Sequence, residues 1–79
     1  MYLTERLQTI YNQIPQVHTL ADVGCDHGYV GIQALIDGKA KFVHFCDVSR
    51  PSLKKAQSLA TRLRQTKCDF ICQDGLGSL

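Results

Sequence analysis

The 79-residue sequence lacks several features that would assign it to a class at once. No apolar run approaches the ~20 residues of a membrane helix, and the polar, amphipathic N-terminus is not that of a signal peptide. The net charge of +2 is too small to indicate nucleic acid or a membrane surface as partner. Repeats, low-complexity tracts and linkers are also missing, so we expect one small cytoplasmic unit.

The sequence also lacks the spacing of common metal and phosphate sites. There is no C-x-x-C pair of the zinc kind and no P-loop. On a strand, Cys68 and Cys72 would lie about 13 Å apart, beyond disulfide reach. We therefore expect reduced thiols and no metal, for these two cysteines and for Cys25 and Cys46.

What is present predicts an α/β fold. Apolar residues at helical spacing indicate a leading helix within residues 1–15, with Thr4 as N-cap and Pro15 as its stop. A β-α-β-α-β unit over residues 19–79 follows, which implies three parallel strands. The expected strands are Thr19–Val23, Lys41–Asp47 and Asp69–Gln73. The expected helices between them are Tyr29–Ile36, and one that begins at Ser49 or Arg50, with Pro51 in its first turn.

Acidic residues lie at or just after the end of each predicted strand. They are Asp22 and Asp26 around the first strand end, Asp47 at the second, and Asp74 after the third. Ligands of doubly wound folds bind beyond these carboxyl ends. Asp47 follows Gly28 by 19 residues, close to the ~20-residue offset of an acid that binds ribose hydroxyls. Asp74 could meet the adenine amine. The alternative for Asp47 alone is an ordinary turn residue at a strand end.

The loop Gly24-Cys25-Asp26-His27-Gly28 distinguishes between adenosine cofactors. NAD and FAD sites use G-x-G-x-x-G, in which the second glycine lets the backbone approach the pyrophosphate. Asp26 stands in that place and would repel a diphosphate by about 4 kcal/mol at contact and an effective dielectric of about 20. S-adenosylmethionine carries a sulfonium and an ammonium, and its carboxylate could use N–H groups near Gly28 and Tyr29. The loop therefore favours the methyl donor.

The run from Leu20 to Tyr29, LADVGCDHGY, resembles the bacterial tRNA (adenine(22)-N(1))-methyltransferase family. Similar too are the amphipathic helix RLQTIYNQIP, the pair Asp26-His27 before an aromatic, and the pair Asp74-Gly75. The resemblance implies a Rossmann-like class I methyltransferase fold that uses S-adenosylmethionine to methylate an adenine ring nitrogen in tRNA. One departure is Gly31, where family members tend to have a proline.

The resemblance also implies roles for individual residues. Five would surround the methionine part of the cofactor: Asp22, Gly24, Asp26, His27 and Gly28. Asp47 would bind the ribose, and Asp74 and Gly75 the adenine. No catalytic residue is assigned, and His27 could equally cap the following helix.

The family's catalytic domain needs about twice as many strands, so the chain is expected to be the N-terminal, cofactor-binding half of it. Such a half has an unpaired strand edge, and we expect low stability or self-association. Two other interpretations stay open: a non-catalytic adenosine-binding or nucleotide-binding module or inactive remnant, and, less favoured by Asp26, a dinucleotide oxidoreductase fragment.

Overall fold

A leading helix and a β-α-β-α-β unit make up the fold of this computed structural model, which describes residues 2–73. The helices are α1 (Glu5–Asn12), α2 (Tyr29–Ile36) and α3 (Arg50–Arg62). The strands are β1 (Val17–Val23), β2 (Ala40–Asp47) and β3 (Cys68–Cys72). The predicted order of elements is confirmed.

The helix ends follow from local chemistry. Thr4 and Ser49 cap α1 and α3, each accepting a backbone N–H of the first turn through its side-chain oxygen. Helix α1 ends at Asn12, earlier than the boundary expected at Pro15. The reason is that the N–H groups of Gln13 and Ile14 donate to carbonyls three residues back, which tightens and closes the last turn.

The three strands are parallel, in the order β1-β2-β3. Strand β1 begins at Val17, two residues before the predicted start, because Val17 N–H donates to Lys39 O at 2.8 Å and the residue pairs with Ala40. Within residues 2–73, β1 pairs with β2 on one side and with no strand on the other. That edge is open for pairing.

The core lies between β2 and the helices. Ile32, Val43 and Phe45 are fully buried, and Phe45 stacks on Phe70 with ring centroids 5.3 Å apart. Alternate residues of a strand point to opposite faces, so Val23, Cys46 and Ile71, which are in register, share the face turned away from Phe45. Val23 is 71% exposed and Ile71 41% exposed, so this face is partly apolar and open to solvent.

Two glycines bring α2 close to this core. A Cβ at Gly28 would lie 2.8 Å from Ala56 Cβ, and one at Gly31 would collide with the Phe45 ring. At this position, where the family tends to have a proline, the Gly31 N–H donates to Asp22 Oδ2, a hydrogen bond that proline could not make because it has no N–H. No helix among the described residues is long and apolar enough to span a membrane.

Candidate functional site

The candidate site is the loop between β1 and α2. Its backbone turns sharply at Gly24 and Asp26, with φ of +67° and +54°. Aspartate is one of the few residues besides glycine that adopt this conformation readily. The N–H of Gly31 donates to Asp22 Oδ2 at 3.2 Å, so the carboxylate at the end of β1 anchors the first turn of α2.

Asp47 joins the loop to the next strand end. Its Oδ2 accepts from Asp26 N–H at 3.0 Å, and its Oδ1 accepts from Ser49 N–H at 2.9 Å. The Ser49 and Asp26 hydrogen bonds hold the pKa of Asp47 below its ordinary value, although partial burial opposes them. The carboxylate is therefore ionised at neutral pH and holds two chain turns together.

Two neighbouring groups, by contrast, have a pKa above the ordinary value, and burial is the main cause. It raises the pKa of Asp22 above its ordinary value, with the nearby Asp47 charge adding to the effect and the Gly31 hydrogen bond opposing it. Burial, together with the charges of Asp22 and Asp47, raises the pKa of Cys25 to about 12. Cys25 therefore stays a thiol and is not an activated nucleophile.

A cleft of about 350 Å³ separates this loop from α1. Four of the predicted site residues line the loop side: Asp22, Gly24, Asp26 and His27. The opposite side is made by α1, with Arg6, Leu7 and Ile10. The cleft lies at the carboxyl end of β1, where ligands of parallel sheets bind.

His27 lies at the rim of this cleft. Its ring stacks on Tyr29, with centroids 5.2 Å apart and an interplanar angle of 3°, and its Nδ1 is 3.2 Å from Asp26 Oδ2. On its other side is a second depression of about 280 Å³, whose wall includes Lys54, Lys55 and Arg62 of α3. His27 thus connects an acidic cleft with a basic surface.

The other predicted site residues lie elsewhere. Gly28 is buried behind the cleft, and its N–H, expected near a ligand carboxylate, instead donates to Cys25 O at 2.8 Å. Asp47 is outside the cleft wall and reaches it through Asp26. Asp74 and Gly75 lie outside the described residues.

The α1 wall of the cleft was missed by sequence reasoning. Arg6 and Ile10 are four residues apart, on one helical face, but that spacing indicates only a packing helix and not what it faces. All four cysteines are free, and no group of three or more potential metal ligands occurs in the described part of the chain.

A parallel sheet, a sharp glycine loop and an acid at the end of the second strand define a Rossmann-like α/β cofactor-binding domain. The sequence of residues 3–79 matches the methyltransferase domain family, and the chain belongs to that family. No curated protein sequence shows significant similarity to it.

Solved structures share this fold. M. capricolum TrmK, solved with S-adenosyl-homocysteine, is 27% identical, with a TM-score of 0.87 over 98% of this chain and 34% of its own. A Streptococcus agalactiae protein of the NADB-Rossmann superfamily is 28% identical, with a TM-score of 0.84 over 100% and 36%. The B. subtilis m1A22 tRNA methyltransferase TrmK is 24% identical, with a TM-score of 0.76 over 91% and 30%. The chain spans about a third of the length of these structures, and the expected resemblance to the m1A22 tRNA methyltransferases is confirmed.

Proposed function

We propose that the chain is the cofactor-binding part of an S-adenosylmethionine-dependent methyltransferase. The observation that carries the proposal is the position of Asp26, a carboxylate on the cleft wall where a dinucleotide site requires a glycine. Bound S-adenosylmethionine would supply an electrophilic methyl group.

The donor and acceptor set of the cleft suits such a ligand. Asp22 and Asp26 present negative charge to a sulfonium and an ammonium, whereas a diphosphate would be repelled. Gly24 leaves open space, with no atom within 4 Å of the position of a Cβ. Together with His27, and with Gly28 behind them, these residues would hold the methionine part.

Asp47 would bind the ribose hydroxyls. A carboxylate offers about four acceptor sites, and the Asp26 and Ser49 hydrogen bonds leave capacity for a diol. Asp74 and Gly75, by resemblance, would contact the adenine. The proposed roles therefore follow the carboxyl ends of β1, β2 and β3 in sequence order.

The proposed substrate is an adenine ring nitrogen in tRNA, which would place the protein in the cytoplasm. This rests on the likeness to the TrmK structures and on one surface of the chain. Lys54, Lys55 and Arg62 surround the depression beside the stacked rings of His27 and Tyr29. Cations next to an exposed aromatic face are a common arrangement for single-stranded RNA.

Calorimetric titration of the 79-residue chain with S-adenosylhomocysteine, NAD and ATP tests the cofactor. We expect binding of S-adenosylhomocysteine alone. Asp26→Asn keeps a side chain that tolerates the positive φ but removes the charge, and should weaken binding. Glu5→Gln, which removes an exposed charge outside the cleft, should leave it unchanged. Binding of NAD in preference to S-adenosylhomocysteine, or of neither, would overturn the proposal.

Fluorescence anisotropy with a tRNA tests the substrate. Lys54→Gln with Lys55→Gln should weaken binding and lower the slope of log K against log salt by up to about 2. Lys41→Gln is the control, because Lys41 is exposed at the start of β2, outside both depressions. Equal effects of the control and the double variant would contradict an RNA contact at this surface.

A further inference from the structure

Helix α1 places a cation on an otherwise acidic cleft. Arg6 is the one Arg or Lys among the described residues that line the cleft, and it faces a wall containing Asp22 and Asp26. It is exposed, and the ion pairs found within residues 2–73 involve only histidines, so no described carboxylate neutralises it. A guanidinium without a partner in a ligand-sized cleft is available to an anionic group.

The position of Arg6 is held by long-range contacts of α1. Leu3 and Tyr11, on either side of it in the sequence, are buried. The Tyr11 hydroxyl donates to Asp37 Oδ2 at 2.5 Å, and Lys39 Nζ donates to Tyr11 O at 3.0 Å. These bonds hold α1 against α2 and the start of β2, so Arg6 stays at the cleft.

The backbone of the loop offers few alternative donors for an anionic ligand group. The N–H groups of Gly24 and Cys25 donate to Cys46 O, that of Gly28 to Cys25 O, and that of Asp26 to Asp47. The N–H of Gly31 is likewise used by Asp22. These five N–H groups are therefore not available to a ligand carboxylate, which a side-chain donor on the other wall of the cleft could bind.

We infer that Arg6 binds the carboxylate of the amino-acid end of the cofactor, opposite the acids that receive its ammonium and sulfonium. This inference rests on the proposed function. An amino-acid zwitterion needs both signs of charge within one cleft, and Arg6 with Asp22 and Asp26 supplies them. A guanidinium can hold a carboxylate through two parallel N–H···O bonds, which fixes direction as well as charge.

Two ligands distinguish recognition of the amino-acid end of the cofactor from a general effect of Arg6 on binding. S-adenosylhomocysteine has the amino-acid end, whereas 5′-methylthioadenosine keeps the adenosine and thioether but lacks that end. In calorimetric titrations we expect Arg6→Gln to lower the affinity for S-adenosylhomocysteine by about tenfold or more, because a charge-assisted hydrogen bond is lost. Its affinity for 5′-methylthioadenosine should stay within about twofold of the unsubstituted chain.

Two further variants control the experiment. Arg6→Lys keeps the charge but loses the planar fork, and should fall between the unsubstituted chain and Arg6→Gln. Lys41→Gln removes an exposed cation outside both depressions and should leave both affinities unchanged. Circular dichroism of each variant should show the same helix content.

The outcomes distinguish the two proposals. If the unsubstituted chain binds S-adenosylhomocysteine and Arg6→Gln binds it equally well, the assignment of Arg6 is overturned and the proposed function stands. If Arg6→Gln lowers the affinity for both ligands equally, the assignment of Arg6 is also overturned, because that result indicates a structural role. An unsubstituted chain that binds neither ligand overturns the proposed function, and this assignment with it.

Discussion

The Asp47 carboxylate accepts the backbone N–H of Asp26 at 3.0 Å, across 21 residues of sequence. The same side chain accepts Ser49 N–H at the start of α3. One acid thus positions the glycine loop relative to the end of β2. An acid expected either to bind a ribose or to be an ordinary turn residue thus also shapes the cleft next to it.

Asp47→Ala should destabilise the chain by about 1–3 kcal/mol, because two backbone donors lose a charged acceptor. Urea unfolding followed by circular dichroism measures this. Because the pKa of Asp47 is lowered in the folded state, its contribution is present above the unfolded pKa of about 3.9 and is lost as the pH falls through the lower folded pKa.

The difference between the unsubstituted chain and Asp47→Ala should therefore shrink toward low pH. Glu5→Ala, which removes an exposed acid, is the control and should change stability by less than about 0.5 kcal/mol. A difference that is the same at pH 7 and at low pH would contradict a role for the ionised carboxylate.

Gly31→Ala should destabilise the chain by about 1–3 kcal/mol, because its Cβ would collide with the Phe45 ring. In the double variant with Phe45→Leu the smaller side chain should recover part of that loss, which a double-mutant cycle measures. Additive effects of the two substitutions would show that the ring does not limit this position.

Tyr11→Phe should cost about 1 kcal/mol, since it removes the hydroxyl that donates to Asp37. Burial and the bond to Asp37 raise the pKa of Tyr11 to about 12. The folded state therefore holds this proton more tightly, so the contribution is complete below pH 10 and is lost as the pH rises toward 12. Tyr2→Phe is the control, because Tyr2 is 88% exposed. If Tyr11→Phe and Tyr2→Phe had the same stability at every pH up to 12, the stabilising role of the Tyr11 hydroxyl would be contradicted.

The open edge of β1 should make the 79-residue chain self-associate. We expect sedimentation to show species larger than the monomer, and the melting temperature to rise with protein concentration. Thr19→Lys places a charge on this edge strand and should reduce association, whereas Thr61→Lys, on the exposed face of α3, should not. A sharp, cooperative melt that is independent of concentration would rule this out.

Much of the fold could be read from short-range patterns. The bounds of α2, the Thr4 cap, the start of α3 at Arg50 and the parallel arrangement of three strands agree with prediction. The C-terminal end of α1 and the start of β1 did not, because hydrogen bonds at Ile14 and Val17 decide them rather than the apolar pattern.

By itself the sequence determined the elements, their order and a glycine loop with an acid at its centre, because capping, spacing and turn chemistry act within a few residues. Only the tertiary structure decided that Arg6 of α1 faces that loop and that Asp47 supports it. The reason is that both relationships depend on contacts between distant segments, such as Tyr11 with Asp37. Helical periodicity shows that a face is buried or exposed but not which neighbour it meets.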